Sequence, residues 1–295
     1  MKVRFLKRLM AYIIASQMLL SAMPTTVFAV DSKLIAASKA INWLKQNQNS
    51  NGSWGTLLNI METSEVIACI AEDDFSNTDV QDRAISWLKS QNHRNNDELF
   101  RQLSVPALQA ERGVENILNR QNPDGGWSIY WGYESDVLDT LLALDALMSG
   151  SLTKLDEARN GILYLVNTQN PNGGWSYVKE GESNEYLTAH AITILDKFKT
   201  SSGTTINSIE AALLRARPFL LSRIDGGSWG LNENNIKHTL FACEAIKNTN
   251  PDVFETAVEK VISVLQPNGS LFHSPSLTAR LVYLLQLPDG PPAFL

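Results

Sequence analysis

A turn motif that keeps returning along the chain constrains its fold more than any other feature. Gln48-Asn49-Ser50-Asn51-Gly52-Ser53-Trp54-Gly55 recurs as Gln121-Asn122-Pro123-Asp124-Gly125-Gly126-Trp127 and as Gln169-Asn170-Pro171-Asn172-Gly173-Gly174-Trp175. A fourth copy, Ile224-Asp225-Gly226-Gly227-Ser228-Trp229-Gly230, lacks the Gln, and Gln266-Pro267-Asn268-Gly269-Ser270-Leu271 keeps the Gln and lacks the Trp. The most eroded copy is Gln91-Asn92 followed by Asn95-Asn96-Asp97. Six such units predict a repeat architecture whose core forms only when neighbours stack.

Each turn separates two helical patterns. Before it, apolar residues fall on one face, as in Ala40, Ile41, Trp43 and Leu44, in Ala84, Ile85, Trp87 and Leu88, or in Ile162, Leu163, Leu165 and Val166. That spacing predicts a half-exposed outer helix. After the turn the pattern is more apolar, from Val137 to Met148, Tyr186 to Leu195, Ile236 to Ile246 and Leu277 to Leu285. A helix apolar on most sides has to be covered on most sides, so these are the inner helices.

The inner helices align on Thr140, Thr188, Thr239 and Thr278. Four residues earlier stand Asp136, Asn184, Asn235 and Ser274, which are helix N-capping residue types, and Pro275 follows Ser274 where proline is tolerated. Capping is therefore the expected role of Asp136. The Pro-Asn-Gly-Gly and Pro-Asp-Gly-Gly turns supply the backbone angles that reverse the chain. The indoles beside them are expected to act as staples, each donating its N–H to a Gln amide or a backbone carbonyl. The expected structural set is Gln48, Gly52, Trp54, Gln121, Gly125, Trp127, Gln169, Gly173, Trp175, Gly226 and Trp229.

These turns, set between paired helices, resemble the prenyltransferase and squalene-oxidase repeat of the terpenoid cyclase and protein prenyltransferase superfamily, over about residues 33–287. The resemblance implies an all-α fold, an α/α toroid of six inner and six outer helices. It does not carry an activity. Squalene-hopene cyclases in this superfamily protonate their substrate from an Asp-x-Asp-Asp motif; the nearest runs here are Asp136-Val137-Leu138-Asp139 and Glu72-Asp73-Asp74. Prenyltransferase β subunits hold zinc through an Asp two residues before a Cys, and here Phe241 stands two before Cys243. Thioester domains need Cys-Gly-Glu-Gln, which neither Cys69 nor Cys243 begins. No metal and no cofactor is expected.

Lys2, Arg4, Lys7 and Arg8 precede an apolar stretch from Leu9 to Ala22, and Val27-Phe28-Ala29 offers a cleavage site. This reads as a signal peptide over residues 1–29, with the toroid over 30–287 and a Pro-rich tail or linker over 288–295. Secretion or display at the cell surface is the expected location. Removing the leader takes away four cations and no carboxylate, so the formal charge moves from −6 to −10. Nucleic acid is excluded as a partner by that acidity. Cys69 and Cys243 fit neither a disulfide framework nor a zinc spacing, and are expected as buried apolar thiols.

Parallel inner helices would share one mouth at their N-termini. Residues that break the aligned columns are the candidates for a site: Asp139 and His238 where other copies carry Leu187 and Leu277, and His190 and Arg280 two residues beyond the threonine. Trp131, Tyr133, Glu134, Glu185 and Tyr186 are expected to form an aromatic, acidic rim. The preferred reading is a non-catalytic binding or scaffolding toroid that takes an isoprenoid, lipid or saccharide in its central cavity, or a protein partner at the cell surface. The alternative is an enzyme, either a divergent terpenoid cyclase or prenyltransferase type or a carbohydrate-active toroid using carboxylates such as Asp139 and Glu185.

Overall fold

The computed structural model of the chain describes residues 25–70, 79–152, 156–202 and 207–286. The expected leader up to residue 24, the Glu72-Asp73-Asp74 run and the Pro-rich tail lie outside the described residues. Among the described residues there are thirteen helices and no strand beyond four isolated bridges. No described helix is long and apolar enough to cross a membrane.

In chain order the helices are α1 (Thr25–Gln46), α2 (Asn59–Cys69), α3 (Val80–Ser90), α4 (Asn96–Leu103), α5 (Pro106–Arg112), α6 (Glu115–Leu118), α7 (Val137–Ser149), α8 (Asp156–Asn167), α9 (Glu185–Ser202), α10 (Asn207–Ser222), α11 (Ile236–Ile246), α12 (Pro251–Ser263) and α13 (Pro275–Gln286). Helix α1 begins inside the expected leader. The inner helices α2, α4, α7, α9, α11 and α13 each pack on the next, and α13 returns to α2. That closes the ring, an α/α toroid. Helices α1, α3, α8, α10 and α12 hold outer places, and the third outer place is broken into α5 and α6 at Gly113, whose φ is 70°. The apolar core lies between the two rings, in one large cluster that runs from α4 through the third to sixth units and a smaller one where α1, α2, α3 and the start of α5 meet α13.

The turns hold the wall together in three ways. First, each indole N–H donates to a carbonyl at the end of its own outer helix: Trp54 to Leu44 (2.9 Å), Trp127 to Ile117 (2.8 Å), Trp175 to Leu165 (2.7 Å) and Trp229 to Leu220 (2.7 Å). The carbonyl, and not a Gln amide, is the acceptor. Second, the glutamines reach across to the following outer helix, Gln48 donating to the Val80 carbonyl, Gln121 to Glu157 and Gln169 to Ala212, at 2.7 to 2.9 Å. Third, the buried backbone N–H of the tryptophan position donates to a threonine hydroxyl one helical turn into the inner helix: Thr63, Thr140, Thr188, Thr239 and, behind Leu271, Thr278. A buried backbone donor needs such a partner. Thr63 extends the threonine column into the first unit, and Leu99 occupies the same place in the second.

Gly125 shows why these turns need glycine. Its φ is 89°, and a Cβ built there would sit 2.6 Å from the Asn160 carbonyl oxygen of the next outer helix. Gly269 repeats this against the Lys39 carbonyl of α1, so the sixth turn docks on the first unit and seals the ring.

Two expectations are corrected. Asn235 does not cap α11 with its side chain, because the preceding Asn232–Asn235 turn already places it in the helical region. Asp136 and Asn184 do cap, accepting from the backbone N–H of Asp139 (2.8 Å) and Leu187 (3.1 Å). In the fifth turn Gly227, and not Gly226, takes the place of Gly125 beside the next helix. That turn, without its Gln, has tightened to a two-residue reversal between paired Asp225 and Ser228, with φ positive at both central glycines.

Candidate functional site

The six inner helices enter from the turns, so their N-termini share one end of the ring and their C-termini the other. Counting from Asn59, Asn95, Asp136, Asn184, Asn235 and Ser274, the residues three, six and nine positions on form three successive levels. Helical spacing repeats a face every three to four residues, which is why the levels follow this count.

The first level, at the mouth, holds Glu62, Glu98, Asp139, Leu187, His238 and Leu277. Glu62 accepts from the Ser276 backbone N–H (2.8 Å), and burial raises its carboxyl above the usual range. Asp139 is only 4% exposed, and its Oδ1 is buried and accepts no hydrogen bond. Burial first, then the adjoining Asp136 carboxyl and the charge of Asp97, push its pKa up to about 9 against the pull of Arg101. Asp97 holds Arg101 at 2.7 Å, and Glu65 lies 3.8 Å from the same guanidinium. On the neighbouring helix α9, Glu185 lies 3.4 Å from His238 Nδ1 and 3.7 Å from Arg223. Burial holds His238 below the ordinary histidine range.

The second level closes the axis. Glu65, Arg101, Leu142, His190, Phe241 and Arg280 converge there on a cavity of only about 50 Å³. Arg280 lies over the Phe241 ring at 3.7 Å and pairs with Glu244, while Tyr186 meets Phe241 edge-on at 4.6 Å. His190 is buried against these rings, and desolvation lowers its pKa although Asp145 opposes this from 3.7 Å.

Past the plug the ring opens into a cavity of about 320 Å³ at the C-terminal end. Five of the six third-level residues line it: Ala68, Ser104, Asp145, Glu244 and Tyr283, joined by Lys197 and Arg280. Helix α4 ends at Leu103, just before the cavity-lining Ser104, while α7, α9 and α13 run on past the same level. Burial alone would raise Asp145 and Glu244. Lys197 and Arg280 nevertheless hold both carboxylates below their usual range.

The five sequence candidates thus fall into different places. Asp139 is in the mouth cluster, Glu185 and His238 pair on the next two inner helices, and His190 and Arg280 are in the plug, Arg280 also reaching the lower cavity. Asp139 is surrounded by Asp136, Asp97 and Arg101, and Glu185 pairs with His238 and Arg223. The aromatic rim divides too, since Trp131 (77% exposed) and Tyr133 stand out on the mouth turn while Tyr186 is buried in the plug. Exposed Tyr130, 5.7 Å from Tyr133, and Tyr177 and Val178 of the next turn belong with them. Asp145, Lys197, Glu244 and Tyr283 were not singled out by the repeat columns. The signal for most of them was one step further along the same count. Cys69 and Cys243 are free and buried, and burial pushes the Cys69 thiol up to about 12.

Among solved structures, the fold is similar to a protein from Actinoplanes (TM-score 0.66, 15% identity, covering 86% of this chain and 98% of that one). It is also similar to an inactive variant of the α-1,6-mannanase GH76A of Salegentibacter sp. HEL1_6 in complex with α-1,6-mannotriose (TM-score 0.61, 10% identity, 85% and 97%). Type II terpene cyclase MstE from Scytonema aligns more loosely, at a TM-score of 0.41 with 12% identity over 87% and 97% of the two chains. No family model matches the chain, and no curated protein matches it in sequence.

Proposed function

We propose that the protein is an exported, non-catalytic toroid that binds saccharide at its mouth. The observation that carries this reading is the crown of exposed rings, Tyr130, Trp131, Tyr133 and Tyr177, on the two long turns above an acidic first level. Monomeric proteins seldom leave contiguous aromatic surface in water without a partner. Rings with a polar edge suit a ligand whose faces are apolar and whose edges are hydroxyls. The mannanase that shares the fold was captured with a mannotriose, which supports the same ligand class. The plug of charged and aromatic side chains speaks for recognition at the rim over passage of an isoprenoid along the axis.

The test is a glycan array that includes α-1,6-mannotriose, probed with the wild type and Trp131→Ala. Binding lost in the variant is expected; an array with no saccharide retained would end the reading. A hydrolytic role is a second reading, favoured by the raised Asp139 carboxyl beside Asp136. Release of reducing ends, abolished in Asp139→Asn, would establish it in place of simple binding. Export belongs to the same proposal, and N-terminal sequencing of the secreted protein should begin at Val30. The resemblance of the turns to Gln-Trp repeats is read as shared construction of the wall, stapled by tryptophan and glutamine.

A further inference from the structure

We infer, resting on the saccharide reading of the mouth, that its ligand is an acidic sugar chain carrying a uronate carboxylate, and that Lys237 selects it. Lys237 stands two residues beyond Asn235, in a column that otherwise holds Met61, Asp97, Leu138, Tyr186 and Ser276, so it is the one cation of the six. It is half-buried, and its ammonium lies 4.1 Å from the centroid of the Tyr186 ring and 5.7 Å from that of Phe241. Both rings belong to the plug, so the charge sits on the mouth side of it. From there it is felt by Tyr177 of the crown and by Glu62 and His238.

The charges of the mouth are not equally engaged. Ring faces hold the Lys237 cation electrostatically and take up no conventional hydrogen bond. Among the described residues no carboxylate lies within ion-pairing distance of its ammonium, and no acceptor takes a hydrogen bond from it. The carboxylates are in the opposite condition. Glu98 is held by Arg94, Asp97 by Arg101, Glu62 by the Ser276 backbone N–H, and Glu185 by His238 and Arg223. Asp139, with its pKa pushed up to about 9, is uncharged at neutral pH. Glu134, Glu180 and Glu182 stand on the exposed rim, where water and salt screen them. An anion entering the mouth thus meets a cation with unused donors, whereas a cation would have to draw a carboxylate away from its partner. A sugar carboxylate on Lys237 would accept a charge-assisted hydrogen bond that a neutral hydroxyl cannot match. One ammonium balances that single charge, whereas a phosphate monoester would keep a second one facing Glu62.

The experiment is calorimetric titration of the full chain with oligosaccharides of glucuronate, galacturonate and mannuronate, each as free acid and as methyl ester, beside α-1,6-mannotriose. Binding is expected for at least one free acid. Its methyl ester should be weaker by about ten-fold or more, the scale of one charge-assisted hydrogen bond. Lys237→Met should lose the same factor for the acid and none for the ester, with unchanged circular dichroism, and Lys237→Arg should keep the preference. Added salt should narrow the gap between acid and ester. Esters that bind wild type as tightly as the acids, or a folded Lys237→Met that binds the acid like the wild type, would overturn the inference. Should Lys237→Met not fold, the comparison of acid and ester in the wild type decides alone. Binding of mannotriose without the uronates, lost in Trp131→Ala, would overturn selection by charge and leave the saccharide reading in place. A chain that binds no saccharide would overturn both.

Discussion

The wall of turns and the lining of the axis are built from the same repeats and obey different rules. In the wall the same residue types return from unit to unit because each makes one particular contact. Tryptophan ties down the outer helix, glutamine reaches the next, and glycine permits their close approach. In the lining the residue types vary from unit to unit, and the second level alone carries Glu65, Arg101, Leu142, His190, Phe241 and Arg280, five residue types in six units. Repetition marks what holds the ring closed. Variation marks what the ring is free to do with its interior and rim.

Substitutions should separate these two regions by size and sign. Trp127→Ala removes a fully buried indole packed against Gly161 of the next outer helix, and should cost about 3 to 5 kcal/mol in urea denaturation. A cost under about 1 kcal/mol would mean that the indole is no staple. Gly125→Ala imposes a Cβ on a backbone with φ of 89° and on the Asn160 carbonyl, and should lose about 2 to 4 kcal/mol. Thr140→Val leaves the Trp127 backbone N–H buried without its acceptor, at a cost of about 1 to 3 kcal/mol.

Asp139→Asn, in the lining, should act with the opposite sign. Its carboxyl is protonated in the fold up to about pH 9, and its unfolded counterpart ionises near 4. Between those values the unfolded chain has released a proton that the folded chain keeps, so this residue lowers stability as pH rises. The asparagine variant should therefore gain at least about 1 kcal/mol over the wild type at pH 8, and the gain should shrink towards pH 4. A melt difference independent of pH would contradict the assignment.

What could be read from the sequence follows the same division. The fold was legible because Gln48, Gly125, Trp127, Trp175 and the aligned threonines recur, and each recurrence answers to one contact. Thr63 escaped because the column was aligned on the strongly apolar inner helices, and α2 carries Glu62 and Glu65 on either side of it. Gly227 was passed over for Gly226 because the loss of the Gln changed the turn and not only its sequence. Of the interior, the columns reached Asp139, His190, His238 and Arg280 but stopped one helical turn short of Asp145, Glu244 and Tyr283. The lower cavity lies where neighbouring helices end at different levels, and helix length is set by tertiary packing as much as by local pattern. Summed helix dipoles alone pointed to the mouth, and gave no sign of space at the other end.

Recognition of saccharide at the rim, with the mouth carboxylates sealed beneath it, comes down to calorimetric titration. The saccharide identified on the array would be titrated into the wild type, Trp131→Ala and Asp139→Asn. An affinity loss of about ten-fold or more is expected for Trp131→Ala, as when a hot-spot aromatic ring is removed, and an unchanged affinity for Asp139→Asn. Full affinity in Trp131→Ala together with a loss in Asp139→Asn would place the ligand inside the ring and overturn the proposal.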